Sequence, residues 1–169
     1  MVNVTLPDGT KQAFAEGSTI RDIAERIGPG LAKAAIAGKV NGAIVDLSHV
    51  LEGDASVQII TPKDKEGVKV MRHSCAHVMA EAICGLWPAA RLVYGPTVED
   101  GFYYDIDLDE PIRPTDFERI EQKMDEIAKA DRPFIRTEMT REQAMAKLAG
   151  DPYKSDNVSR AEGGTISFY

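Results

Sequence analysis

Two of the chain's three histidines, His73 and His77, stand four residues apart in the segment MRHSCAHVMAEAI. If that segment is helical, the spacing puts both imidazoles on one face, a turn apart, where they can act on one ligand. Imidazole titrates near pH 6.5, which suits either metal ligation or proton transfer close to neutrality. A zinc ion, however, asks for about three protein ligands in a catalytic site and about four in a structural one. The third histidine, His49, falls in a different part of the chain, and Cys75 points away around the helix at about 100° per residue. Two ligands do not make a metal site, so no metal is expected. The histidine face continues through Ala76, Ala80 and Cys84, all small, which leaves room for a substrate or a packed backbone. Cys75 and Cys84 are the only cysteines and lie on different turns of one helix, so no disulfide is expected between them.

Further along, Phe102, Tyr103 and Tyr104 precede two acids at strand spacing, Asp105 and Asp107, and Lys154 sits in DPYKSDNV. Taken alone, Lys154 reads as a solvated loop lysine, the aromatic run as a strand packing alternately into core and surface, and the two acids as solvated.

Elements that would carry these residues follow from periodicity. Val2, Val4 and Leu6 alternate with polar residues, Pro7-Asp8-Gly9 turns the chain, and Gln12 to Phe14 resumes an extended pattern. Ser18 or Thr19 caps a helix with Ile20, Ile23, Ala24 and Ile27 on one face, ended by Gly28-Pro29-Gly30. Ala35 to Val40 and Ala43 to Leu47 flank Asn41-Gly42, the dipeptide suited to a two-residue type I′ turn. Val57, Ile59 and Thr61 form a last strand. This ββαβββ order is that of a β-grasp, a mixed sheet over one helix, assigned to residues 1–61.

Residues 62–67, polar and bounded by Pro62 and Gly67, are the expected linker. Residues 68–169 form a second, α+β region. A helix is expected over Lys69 to Trp87, with strands at Leu92 to Tyr94 and Phe102 to Ile106. A second helix starts at a Thr115–Glu118 capping box and carries the stripe Phe117, Ile120, Met124 and Ile127. Phe134 to Met139 reads as a strand, and Thr140 caps a helix bearing Ala144, Met145 and Leu148 that Gly150-Asp151-Pro152 breaks. From Tyr153 the chain is polar and Gly-rich until a strand at Thr165 to Tyr169, whose edge would be a pairing hazard if left open.

At 169 residues, 43% of them hydrophobic and 28% charged, the chain has the composition of a globular protein with a real core. Its net charge of -7 argues against this segment alone gripping a phosphate backbone tightly. Neither a signal peptide nor a run of about 18 apolar residues is present, so no membrane partner and a cytoplasmic location are expected.

The segments MRHSCAHVMAEAI, LWP and GPTVEDGFYYDID resemble the editing domain of threonyl-tRNA synthetases, and the likeness continues through DPYKSDNV. VNVTLPDGTKQAF and AGKVNGAIVDLSHVL resemble the TGS domain, a ubiquitin-like β-grasp that opens those enzymes. The HxxxH motif alone is shared with alanyl-tRNA synthetases and their editing relatives; the upstream TGS domain favours the threonyl family.

The resemblance implies that residues 68–169 contribute to hydrolysis of serine wrongly attached to the 3′ end of threonine tRNA. His73 and Lys154 would position or activate the water, His77 would support the pocket and Tyr104 would line it. In the family a CxxxH segment, placed after a strand like TISFY, completes the editing site. This chain has no Cys or His after Cys84, so the editing domain is expected to be incomplete at its C-terminus and weakly active or inactive alone. Zinc, ATP and magnesium belong to an aminoacylation domain that this sequence lacks, and no cofactor is expected here. The parent enzyme would be a homodimer and the chain itself a monomer. A reading of another class is a non-catalytic module in which the TGS domain binds RNA or a protein.

Overall fold

The computed structural model describes residues 1–161 and 163–168. The chain divides into two compact units, Met1–Arg72 and His73–Tyr169.

In the first unit, strands β1 (Val2–Thr5) and β2 (Lys11–Phe14) form the expected antiparallel hairpin. Helix α1 (Ile20–Ile27) starts where the sequence places it. The Thr19 hydroxyl accepts the Asp22 amide at 3.2 Å, and the Asp22 carboxylate accepts the Thr19 amide at 2.7 Å, satisfying two amides that the helix leaves unpaired. The Gly28-Pro29-Gly30 segment ends α1 but does not lead into coil. Pro29 instead occupies the first position of a short helix α2 (Pro29–Ala34), a place where its missing amide costs nothing and its fixed φ already fits.

Strands β3 (Ala37–Val40) and β4 (Ala43–Val45) meet at Asn41 and Gly42, which adopt φ of 49° and 91°, the left-handed pair that a type I′ turn needs. With β5 (Ala55–Ile60) the sheet order is β2-β1-β5-β3-β4. β1 and β5 run parallel and the other pairs antiparallel, which is the β-grasp. Val2, Val4, Phe14, Ile20, Ile23, Ala24, Leu51, Val57 and Ile59 make one core between sheet and helix.

Helix α3 (Lys65–Leu86) begins four residues earlier than periodicity indicates, so Lys65, Glu66 and Gly67 of the expected linker are helical. The local cause is Asp64, whose Oδ2 accepts the Thr61 amide at 2.7 Å and the Thr61 hydroxyl at 2.8 Å. Glu66 adds an ion pair to Lys39 of β3 at 3.0 Å.

Among its described residues the second unit holds the rest of α3 and three two-stranded ribbons rather than one broad sheet. β6 (Arg91–Tyr94) pairs with β9 (Asp105–Asp107), and β7 (Thr97–Val98) pairs with β8 (Gly101–Phe102). The expected single strand Phe102 to Ile106 is thus split. Phe102 belongs to the small hairpin and Ile106 to the longer ribbon, with Tyr103 and Tyr104 between them.

Helix α4 (Phe117–Lys129) follows a 3-10 turn at Pro114–Asp116. Asp116 rather than Thr115 stands at its N-cap, without a side-chain cap bond, and the Asp116 carboxylate instead accepts the Arg113 amide at 2.8 Å within the preceding 3-10 turn. Phe117 is 54% exposed and stands outside the apolar stripe expected of it; Ile120 is the residue α4 buries. Arg119 of α4 lies over the Trp87 ring at 5.6 Å, just beyond the end of α3.

β10 (Thr137–Thr140) is shorter than the expected Phe134 to Met139 strand and pairs antiparallel with β11 (Thr165–Phe168). Tyr169, expected to end that strand, lies outside the described residues. Helix α5 (Arg141–Lys147) has the expected Thr140 cap. Pro152 does not merely break it but opens a further helix α6 (Pro152–Arg160) in the stretch read as polar coil. The Arg141 guanidinium fastens the end of α6, donating to the carbonyls of Val158 at 2.7 Å and Ser159 at 2.8 Å. No helix among the described residues is long and apolar enough to cross a membrane.

Candidate functional site

The site is built from the part of α3 that begins at His73, from α6 and from the β6–β9 ribbon, all within the second unit. Ala76, Ala80 and Ile83 of α3 are buried, while the helix turns His73 and His77 to a cavity of 1110 Å³. Tyr104, Lys154 and Cys84 line the same cavity. All four residues singled out in the sequence therefore converge on one space. A second cavity of 390 Å³ shares His73, Tyr104 and Lys154 and adds Tyr94, Gly95, Pro96 and Thr97.

The histidine rings meet edge to face, with centroids 4.6 Å apart and planes at 86°, and their Nε2 atoms are 3.1 Å apart. Two Nε2 atoms at this distance hold one proton between them, which requires at least one ring to be neutral. Burial pushes the His77 pKa down, and the neighbouring His73 and Lys154 push it the same way. The lowered pKa favours the uncharged form of His77, and one Nε2 donates to the other according to the tautomer each ring adopts. Burial also raises the Cys84 thiol and the Tyr104 phenol, keeping both protonated at neutral pH.

Tyr104 is half-buried against Gly95. A Cβ on Gly95 would lie 2.5 Å from the tyrosine Cδ2, so only glycine allows this packing. Lys154 lies in the first turn of α6, where Asp151 caps the helix by accepting the Lys154 amide at 3.0 Å. Two bonds fix that helix against the ribbon. Asn157 Nδ2 donates to the Val93 carbonyl at 2.8 Å, and Tyr153 Oη donates to Asp107 Oδ2 at 3.0 Å. Asp107, read from sequence as solvated, is exposed but serves as this anchor.

Asn157, Asp151 and Phe134 also line the cavity and escaped the sequence reading. Asp151-Pro152 carried a usable signal, a capping acid before a proline at the first helical position. A helix assigned there places Lys154 and Asn157 on one face, three residues apart. Phe134 carried no comparable signal. Among the described residues no three His, Cys, Asp or Glu side chains come together as a metal-ligand set.

Residues 2–61 match the TGS domain family, the span of the β-grasp. The whole chain is similar to threonine–tRNA ligases: 47% identical to that of Hahella chejuensis over 98% of this chain and 26% of the relative. The figures are 47%, 98% and 26% for Methylococcus capsulatus, and 46%, 99% and 27% for Pelobacter propionicus. The chain thus spans about a quarter of the length of the curated relatives it matches. The chain is therefore similar along its length to one part of the threonine–tRNA ligases, with a TGS domain match at residues 2–61 and an α+β region after it.

Proposed function

We propose that the second unit is part of a hydrolytic editing site that removes serine from the 3′ end of mischarged threonine tRNA. It acts within a longer cytoplasmic, homodimeric enzyme that joins threonine to its tRNA with ATP. The observation that carries this reading is the convergence of His73, His77, Tyr104 and Lys154 on one cavity, in a chain similar along its length to threonine–tRNA ligases.

The need for such a site is energetic. Serine differs from threonine by one methyl group, which binding converts into only about 1–3 kcal/mol, or about 10- to 200-fold discrimination. Protein synthesis needs more, and a second site that hydrolyses the wrong ester supplies it.

In the proposed arrangement His73 Nε2–H donates to His77 Nε2 across the 3.1 Å contact. His73 Nδ1 takes a proton from water as the water oxygen attacks the ester carbonyl carbon. The resulting imidazolium is held by its Nε2–H bond to neutral His77, much as an orienting partner holds a general base. The Lys154 ammonium positions the water and offsets the negative charge that develops on the carbonyl oxygen. Collapse breaks the bond between the carbonyl carbon and the ribose oxygen, and the leaving ribose oxygen takes the proton back from His73. Tyr104 walls the pocket beside the amino-acid side chain.

The test is deacylation of serine-charged threonine tRNA by the longer enzyme, comparing wild type with His73→Ala and Lys154→Ala and following threonine charging separately. Loss of a general base costs about 10²- to 10⁴-fold, so hydrolysis should collapse while charging survives. Unchanged hydrolysis in both variants overturns the assignment and favours a module that only binds.

A further inference from the structure

We propose that Phe134 is a positioning residue for the histidine pair: it closes the cavity over His77 and keeps bulk water from that ring, so that His77 serves His73 as a fixed acceptor. This rests on the editing reading above.

The geometry that carries the proposal lies in residues 131–136, which join α4 to β10. Phe134 meets the His77 ring edge-on, with centroids 6.2 Å apart and planes at 63°. It remains 51% exposed, although nothing in the periodicity of its neighbours requires an aromatic residue there. Phe134 and Ile135 are large apolar side chains lining the cavity on which His73, His77 and Lys154 also open.

The segment is held rather than free. Asp131 adopts φ of 47° at the end of α4, which turns the chain sharply, and Pro133 fixes its own φ directly before the phenylalanine. Arg132 donates to Glu81, which stands on α3 one turn beyond His77, so the connection is tied to the same helix that carries the histidines. The aromatic side chain is thereby presented to His77 from an anchored backbone.

Burial lowers the His77 pKa and favours the uncharged imidazole, and Phe134 is one of the rings packed at that side chain. The other charged or titratable groups around the cavity are His73, Glu81, Cys84, Tyr104, Asp131, Arg132, Asp151 and Lys154, and a pH profile must be read against all of them.

The experiment is a proton NMR titration of His77 in the 169-residue chain, for wild type, Phe134→Ala and Phe134→Leu. The alanine variant should move the His77 midpoint up toward the ordinary imidazole value of 6.5, and the leucine variant, which keeps apolar bulk, should hold it near wild type. In the longer enzyme Phe134→Ala should slow seryl-tRNA hydrolysis by about ten- to a hundredfold, shift the acid limb of the rate profile to higher pH, and be rescued by leucine. A His77 midpoint that does not move in Phe134→Ala overturns the proposal, whatever the activity does. A midpoint that moves in a protein family showing no seryl-tRNA hydrolysis in the wild type leaves the packing role standing and refutes the editing reading. Arg132→Gln, which cuts the anchor and leaves the ring in place, should reproduce part of the shift, and its failure to do so removes the anchoring role.

Discussion

The side-chain amide of Asn157 donates to the main-chain carbonyl of Val93 across 2.8 Å, and with the Tyr153–Asp107 bond it ties the helix bearing Lys154 to the β6–β9 ribbon. Lys154 is three residues before Asn157 on the same helix, so its ammonium reaches the histidine cavity only while that helix stays against the ribbon.

Replacing Asn157 with Ala should therefore act on both stability and hydrolysis. It leaves the Val93 carbonyl without this partner, at a cost of about 1–3 kcal/mol, which lowers the thermal midpoint by several degrees. Seryl-tRNA hydrolysis should fall with Lys154 itself intact. Calorimetry of the chain and deacylation by the longer enzyme check the two halves, and a variant with wild-type values in both contradicts the role given to this bond.

Gly95→Ala tests the placement of Tyr104. The added methyl meets the ring at 2.5 and 2.6 Å, so the ring must move. Overpacking of this kind costs about 1–3 kcal/mol. Hydrolysis should drop in the single variant, whereas adding Gly95→Ala to a Tyr104→Ala background should change little, because the clash has gone. Additive effects in that double-mutant cycle would show that the two residues act separately.

The acid stability of the chain should follow His77. Its folded-state pKa lies below the ordinary value of 6.5. Between those two values the unfolded chain binds more protons than the folded one, so stability falls as pH drops through 6.5 and levels off below the folded pKa. Urea unfolding across pH 5 to 8 should show this slope, and His77→Gln should flatten it. An identical slope in the variant assigns it to other groups.

Two glycine-to-alanine changes in helices should have opposite signs. At Gly30 in α2 an added Cβ meets nothing within 4 Å, so the gain in helix propensity of about 1 kcal/mol should appear as stabilisation. At Gly67 in α3 the Cβ would lie 1.9 Å from the Thr61 carbonyl oxygen. Backbone must shift there, and a cost of about 1–3 kcal/mol outweighs the propensity gain. Paired denaturant unfolding curves decide it.

Much of this protein was legible from local chemistry. Thr19 with Asp22, Thr140 with Gln143 and Asn41 with Gly42 act within a few residues of themselves, so caps and a turn appear where the sequence places them. The face shared by His73 and His77 follows from helical spacing alone. Sheet order and the early start of α3 were not legible in the same way, whereas α6 carries its own local signal in Asp151-Pro152. Asp64 and Glu66 extend α3 through bonds to Thr61 and Lys39, the latter distant in sequence, and periodicity cannot count a partner that folding alone brings near.

The residue types and spacing by themselves determined a β-grasp followed by an α+β region, and a helix with two imidazoles on one face. Only the tertiary structure decided that Tyr104 and Lys154 join those imidazoles around one cavity, that burial lowers the His77 pKa, and that Phe134 packs beside it. The physical reason is that desolvation and cross-chain hydrogen bonds belong to an environment assembled from several elements, whereas helix capping, turn geometry and apolar periodicity are properties of neighbours along the chain.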